Sequence, residues 1–285
     1  MHPLISTAEL AERLAAGAPR LRLFDATTHL RPAQPGPFRV ENARPDYEAA
    51  HIPGAAYLDL QQQLSDARSP LRFMRLETDA LAAAFAAAGL GEGDEAVLYS
   101  STSPMWATRV WWLLRGIGVE ARVLDGGLPK WRAEGRPLAT GGERHAPGRL
   151  LARPRGPLWA DRDEVLRAVG DGAVCTLNAL TASVHAGTAE FDYGRKGHIA
   201  GSVNVPYPAL LAADGTLLPL PELRRAFDTV GALQRPRVIC YCGGGIAATL
   251  TALALHLLGH ENVAVYDASL SEWVLDPALP METGA

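Results

Sequence analysis

Among the residues able to do chemistry, Cys242 holds the most suggestive position. It ends an apolar, strand-like run, Arg237-Val238-Ile239-Cys240-Tyr241, and opens the loop Gly243-Gly244-Gly245-Ile246-Ala247-Ala248. A long apolar helix then reaches to about Leu258. Glycines let a backbone curl so that successive N–H groups point at one centre. A helix N-terminus adds about half a positive charge there, which favours a thiolate. The arrangement suits a nucleophilic sulfur that also carries a bound anion or a second sulfur. A lone cysteine is more often a small buried hydrophobe, and Cys175 and Cys240, each inside an apolar run, read that way. Cys242 departs from that pattern because three consecutive glycines between strand and helix serve no core purpose. Two rival chemistries fit poorly. A cysteine phosphatase needs an arginine at the loop's end to grip a phosphate dianion, and Ala248 stands there. A Cys240-x-Cys242 metal site lacks a second ligand pair.

The positioning elements come from a chain long enough for one large or two ordinary domains. A 48% hydrophobic and 20% charged composition describes a globular protein, and a net charge of −4 argues against a nucleic-acid partner. Three cysteines make no disulfide framework, so a reducing compartment is expected. The N-terminus shows no basic start followed by an apolar core, and the apolar stretches around 110–114 and 247–258 are too short to span a bilayer. The expected location is cytoplasmic, with no membrane partner.

One unit occurs twice. Asp46-Tyr47-Glu48-Ala49-Ala50-His51-Ile52-Pro53-Gly54 is echoed by Asp192-Tyr193-Gly194-Arg195-Lys196-Gly197-His198-Ile199-Ala200-Gly201. Val97-Leu98-Tyr99-Ser100 mirrors Ile239-Cys240-Tyr241-Cys242, and Asp125-Gly126-Gly127-Leu128-Pro129-Lys130-Trp131 mirrors Asp267-Ala268-Ser269-Leu270-Ser271-Glu272-Trp273. Tyr99 and Tyr241, like Trp131 and Trp273, stand 142 positions apart, a period of a whole domain. The expected layout is a first domain over 1–140, a Gly/Pro-rich linker over 141–157 and a second domain over 158–285. Helices are expected over Thr7–Ala16, Thr78–Ala88, Met105–Gly116, Asp161–Val169, Leu220–Val230 and Ile246–Leu258, with Asp161 or Thr78 as N-cap. Strands are expected over Leu21–Phe24, Ala96–Tyr99, Ala121–Leu124, Val174–Leu177, Val238–Tyr241 and Val263–Tyr266. Alternating strands and helices imply an α/β fold, each half a mostly parallel sheet flanked by helices, with sites beyond the strands' carboxyl ends.

These motifs in this order resemble a two-domain (tandem) rhodanese of the thiosulfate/3-mercaptopyruvate sulfurtransferase family, over nearly the whole chain. The resemblance implies that Cys242 is the active cysteine and that the N-terminal copy, with Ser100 in its place and its loop glycines lost, is catalytically silent. It implies a double displacement. The Cys242 thiolate takes the sulfane sulfur of a small anionic donor, thiosulfate foremost, as a persulfide, and passes it to cyanide or a thiol. The amides of Gly243, Gly244, Gly245, Ile246, Ala247 and Ala248 would hold the charged sulfur, and no cofactor or metal is required.

The sequence also departs from the family. Basic residues common after the cysteine in thiosulfate-using members are Gly243 and Gly244 here. The Ser and Thr of mercaptopyruvate-type loops are Gly244 and Ala247. The Asp-Ala-Arg-like segment is Asn178-Ala179-Leu180, and a substrate-binding arginine beyond it has become Val184 or His185. Arg195 remains as a cation that would help hold the donor. His51 with His198, and Asp125 with Asp267, occur in both copies and read as fixing the turns. Trp106 reads as interface packing. The depleted anion clamp keeps open two alternatives: a mercaptopyruvate-type enzyme, or a sulfur carrier or sensor with little turnover.

Overall fold

The computed structural model describes residues 1–33 and 38–284. Two five-stranded parallel sheets have one topology. In the first, the order is Leu4–Ile5, Ala121–Leu124, Glu95–Tyr99, Leu21–Asp25 and Ala55–Tyr57. In the second it is Trp159–Ala160, Val263–Tyr266, Arg237–Tyr241, Val174–Asn178 and Val203–Asn204. All pairings within both sheets are parallel. From Val174–Asn178 the chain runs outward to Val203–Asn204, then returns to form Arg237–Tyr241 on the other side. That reversal opens a crevice at the carboxyl end of Arg237–Tyr241, where ligands of open α/β sheets bind.

The six expected helices and six expected strands form, with ends shifted by a residue at most. Asp161 caps its helix by accepting the Glu164 amide at 2.7 Å. Thr78 does not cap: it is the first helical residue, and Glu77 before it makes no side-chain cap. The short edge strands and an antiparallel hairpin, Thr28–Pro32 with Phe38–Asn42, lie outside those expectations. Residues 141–157 hold no regular element but are fastened to the first half. His145 packs edge-on to Phe24 and reaches Leu23 O at 3.1 Å, and the Gly148 amide donates to Ala86 O.

Helices Met105–Gly116 and Ala247–Leu257 are apolar on nearly every face because each covers its own sheet and also packs on the other. Thr108 and Thr249 hydroxyls meet there at 2.9 Å. A local two-fold relates the flanking contacts. Asp125 accepts the Leu217 amide and Asp267 the Arg75 amide, both at 2.9 Å and both across the interface. The shared aspartates therefore join the halves. No helix among the described residues is long and apolar enough to cross a membrane.

Candidate active site

Cys242 comes directly off the central strand of the second sheet and is 2% exposed. The turn after Val263–Tyr266 clamps its loop from behind. Ser269 Oγ accepts the amides of Cys242 and Gly245, each at 3.1 Å, and donates to Tyr266 O at 2.7 Å. Ser271 donates to Gly243 O through both its hydroxyl and its amide. Ser269 holds φ at +52°, a left-handed conformation costing an L-residue about 1–2 kcal/mol. Its counterpart in the first half is Gly127, at +55°, where a Cβ would stand 2.6 Å from Ser100 O. The second half thus carries a strained serine where the first carries glycine, and the serine's hydroxyl organises the loop.

The glycines are not equivalent. A Cβ on Gly245, at φ +70°, would stand 2.4 Å from Asp267 O, and one on Gly243 would meet the Tyr193 ring at 2.2 Å. A Cβ on Gly244 would meet nothing closer than Ser271 Oγ at 3.6 Å. Among the described residues, the amides of Gly243, Gly244, Ile246, Ala247 and Ala248 have no protein acceptor. Ile246, Ala247 and Ala248 start the helix, where unpaired donors and the dipole coincide. Gly245 departs from expectation, because its amide is committed to Ser269.

Behind this loop lies Arg109, absent from the residues the sequence singled out. It is fully buried in the Met105–Gly116 helix of the first half. Its guanidinium donates to Asp267 Oδ1 at 2.6 Å, Gly245 O at 3.2 Å and Phe73 O at 2.6 Å, and lies over the Trp159 ring. A charged residue inside Trp106-Ala107-Thr108-Arg109-Val110-Trp111-Trp112, with no polar face to join, was the available signal.

Arg195 donates through its guanidinium to Asp276 O and Leu279 O, both at 3.0 Å, and is not among the residues that line the cysteine cavity. His185 also turns away: its ring stacks on His198 at 3.7 Å, leaving Val184 on the cavity wall. Burial, and then the neighbouring His198, press His185 down to about 4. His198 Nδ1 contacts His185 O at 2.7 Å and His51 Nδ1 contacts Tyr47 O at 2.9 Å, so the shared histidines fix their turns. Trp106 is buried against Phe73 at the interface.

A cavity of about 420 Å³ opens over Cys242, Gly243 and Gly244, with walls from both halves. Tyr193 and Tyr207 line it; burial first, and the neighbouring Cys242 second, hold both phenols above their ordinary range. Cys175, by contrast, is pushed up to about 11 by burial alone, apart from a small opposing effect of Arg235. A larger cleft of about 630 Å³, with Asp66, Asp163 and Glu272 on its walls, contains no cysteine.

Comparison with known proteins agrees with this geometry. The family described as "Rhodanese-like domain" matches residues 6–134 and 187–276. Thiosulfate/3-mercaptopyruvate sulfurtransferase 1 of Arabidopsis thaliana is 33% identical over 290 residues, spanning 93% of this chain and 74% of that protein. The 3-mercaptopyruvate sulfurtransferase of Escherichia coli is 32% identical over 269 residues, 93% of this chain and 92% of its own. The crystal structure of SseA from Escherichia coli, described as showing the rhodanese fold of 3-mercaptopyruvate sulfotransferases, superposes with a TM-score of 0.82 at 29% identity. It covers 95% of this chain and 100% of that one. With its duplicated sheet and its cysteine loop at the second switch point, the chain belongs to the two-domain rhodanese family of sulfurtransferases.

Proposed function

We propose that Cys242 carries sulfane sulfur as a persulfide between a small anionic donor, thiosulfate foremost, and a thiol or cyanide. The observation that carries this is the cysteine at the floor of a cavity, ringed by loop amides that have no acceptor among the described residues. The thiolate attacks the outer sulfur of thiosulfate, the S–S bond of the donor breaks, and sulfite leaves with the electron pair. The amides of Gly243, Gly244, Ile246, Ala247 and Ala248 then meet the charge on the transferred sulfur, and their fixed placement needs no reorganisation. Tyr193 and Tyr207, held protonated, offer O–H donors on the cavity lining. An acceptor nucleophile removes the outer sulfur and restores the thiolate.

In this reading residues 158–285 are the reacting domain, 141–157 the linker and 1–140 a silent copy. Ser100 fits that silence: its hydroxyl is buried against Thr27 and the Thr102 amide, and Thr27 Oγ1 accepts the Ser101 amide at 2.8 Å. The cradle is filled by the protein itself. The carrier or sensor reading keeps support from one observation, the turning away of Arg195 together with Val184 on the wall.

Intact mass of the reduced protein after exposure to thiosulfate, and separately to 3-mercaptopyruvate, beside Cys242→Ser tests the proposal. A gain of one sulfur atom in the native protein alone is expected. Absence of that gain with both donors refutes it. A persulfide that forms and is not discharged by cyanide or thiols selects the carrier reading.

A further inference from the structure

The walls over Cys242 are largely apolar, with the hydroxyls of Thr181, Tyr193 and Tyr207 among them. Phe38, Phe73 and Met105 come from the first half, and Leu180, Val184 and Phe191 from the second. Arg72 is the one charged side chain on the lining among the described residues; it is exposed, and its guanidinium donates to Phe38 O. The hydroxyl of Ser271 is committed to Gly243 O. A multiply charged oxyanion lodged against these walls, away from the loop amides, would lose its water and gain no buried cation to grip it.

The apolar lining is also enforced. Phe73 holds φ at +62°, a true outlier for a bulky side chain, and the buried Arg109 fixes its carbonyl. Such strain persists where surroundings over-determine it, and it clusters at ligand clamps. Phe38 and Phe191 meet edge-on at 5.2 Å, joining the two halves across the cavity. A volume of about 420 Å³ falls in the range of about 300–1,000 Å³ used for organic ligands.

We infer that the sulfur acceptor at Cys242 is a thiol with an apolar body of aromatic-ring size. The inference rests on the persulfide proposed above. The thiolate R–S⁻ attacks the outer sulfur of Cys242–S–SH. A bond forms between R–S and that sulfur, the bond to Cys242 Sγ breaks, and its electron pair returns to Sγ. R–S–SH departs with the proton, and the Cys242 thiolate is regenerated. The apolar body occupies the space between Phe73, Phe191 and Val184 while its sulfur faces the loop.

The test charges Cys242 with thiosulfate or inorganic polysulfide, removes the excess, and verifies the added sulfur by intact mass. Its loss is then followed with benzyl mercaptan and with 2-mercaptoethanol, thiols of similar basicity. A preference for benzyl mercaptan on the order of 30-fold or more is expected, from burial of most of one ring. Phe191→Ala, a change at a residue 39% exposed, should cut that preference severalfold, with the added sulfur verified by intact mass before each thiol is supplied. Val184→Arg should cut it further and speed charging by thiosulfate. Equal rates for the two thiols, or a preference unmoved by both variants, overturn the inference.

A second arm needs no persulfide. Benzyl methyl sulfide, an unreactive thioether, should slow alkylation of Cys242 by iodoacetamide in a saturable way, read by peptide mass, and Phe191→Ala should weaken the protection. Failure to charge Cys242 refutes the sulfurtransferase site, and the thioether result then decides the acceptor class by itself. Absence of protection overturns the inference whatever the charging result.

Discussion

Replacing Arg109 by methionine removes the guanidinium and keeps much of the stem volume. Three acceptors lose a partner: Asp267 Oδ1, Gly245 O and Phe73 O. Asp267 is 7% exposed and, among the described residues, would keep only the Arg75 amide as a donor. Breaking a buried ion pair from one side costs about 3–5 kcal/mol, because the remaining charge is stranded. Each carbonyl left dry adds up to about 1–3 kcal/mol, although release of Phe73 from its strained backbone returns part of that. A net loss of about 4 kcal/mol is expected, read as a shift of the urea unfolding midpoint by tryptophan fluorescence. The discriminating experiment is the double variant Arg109→Met with Asp267→Asn. Removing the stranded charge should recover about 1.5 kcal/mol or more relative to the sum of the single changes. Additive singles, or an Arg109→Met cost below about 1 kcal/mol, would refute the claim that this pair is a buried brace.

Ser269→Ala keeps the positive φ and leaves two amides without their acceptor, so it should cost about 2–3 kcal/mol; Ser269→Gly, which relaxes the backbone, should cost about 1 kcal/mol less. Equal thermal stabilities for the two would remove the backbone strain from the explanation. Gly245→Ala forces a methyl against Asp267 O and should cost roughly 3 kcal/mol, whereas Gly244→Ser should stay within about 0.5 kcal/mol; denaturation of both against the native protein decides. His185 is depressed from 6.5 to about 4, so the unfolded chain takes its proton first. Its stability contribution is intact above the unfolded value and is lost as pH falls from about 6.5 towards 4, by at most about 3 kcal/mol. His256 is also depressed by burial and acts in the same direction. Urea midpoints at pH 7 and pH 5 should lie closer together in His185→Phe than in the native protein, and an unchanged gap would exclude His185 as a source.

The sheets were readable because their strands are short apolar runs flanked by helical patterns, and because each pattern occurs twice at one spacing. Strands of two or three residues, such as Trp159–Ala160 and Val203–Asn204, carry too little pattern to be read locally; they exist because a neighbouring strand offers a free edge. The cysteine loop was legible from its glycines. Gly245 proved to be a steric glycine rather than an anion donor because Ser269, 24 residues later, takes its amide. Its alignment with Gly127 was visible, but that alignment does not reveal a serine held at positive φ. The partners of Arg195 were not legible for a related reason. The carbonyls of Asp276 and Leu279 reach it through the return of the tail, a contact over more than 80 residues that no local motif encodes.

Duplication explains how a copy with no reactive cysteine stays indispensable in this reading. The aspartate braces are reciprocal, one from each half, and would suit two equal partners. The contacts around Arg109 are not reciprocal. With Thr108 facing Thr249, Leu250 is the counterpart of Arg109, and it returns no charge to the first half. The first copy has thus filled its own cradle with Thr27 and Ser100, and it sends an arginine to the back of its neighbour's loop. It also furnishes Phe73, Met105 and Phe38 to the cavity wall. A freed second domain would keep Cys242, Ser269 and the helix N-terminus, yet would lose the brace on Gly245 and half of the enclosure. In this reading the nucleophile belongs to one half, while the brace on its loop and half of its cavity wall come from the other.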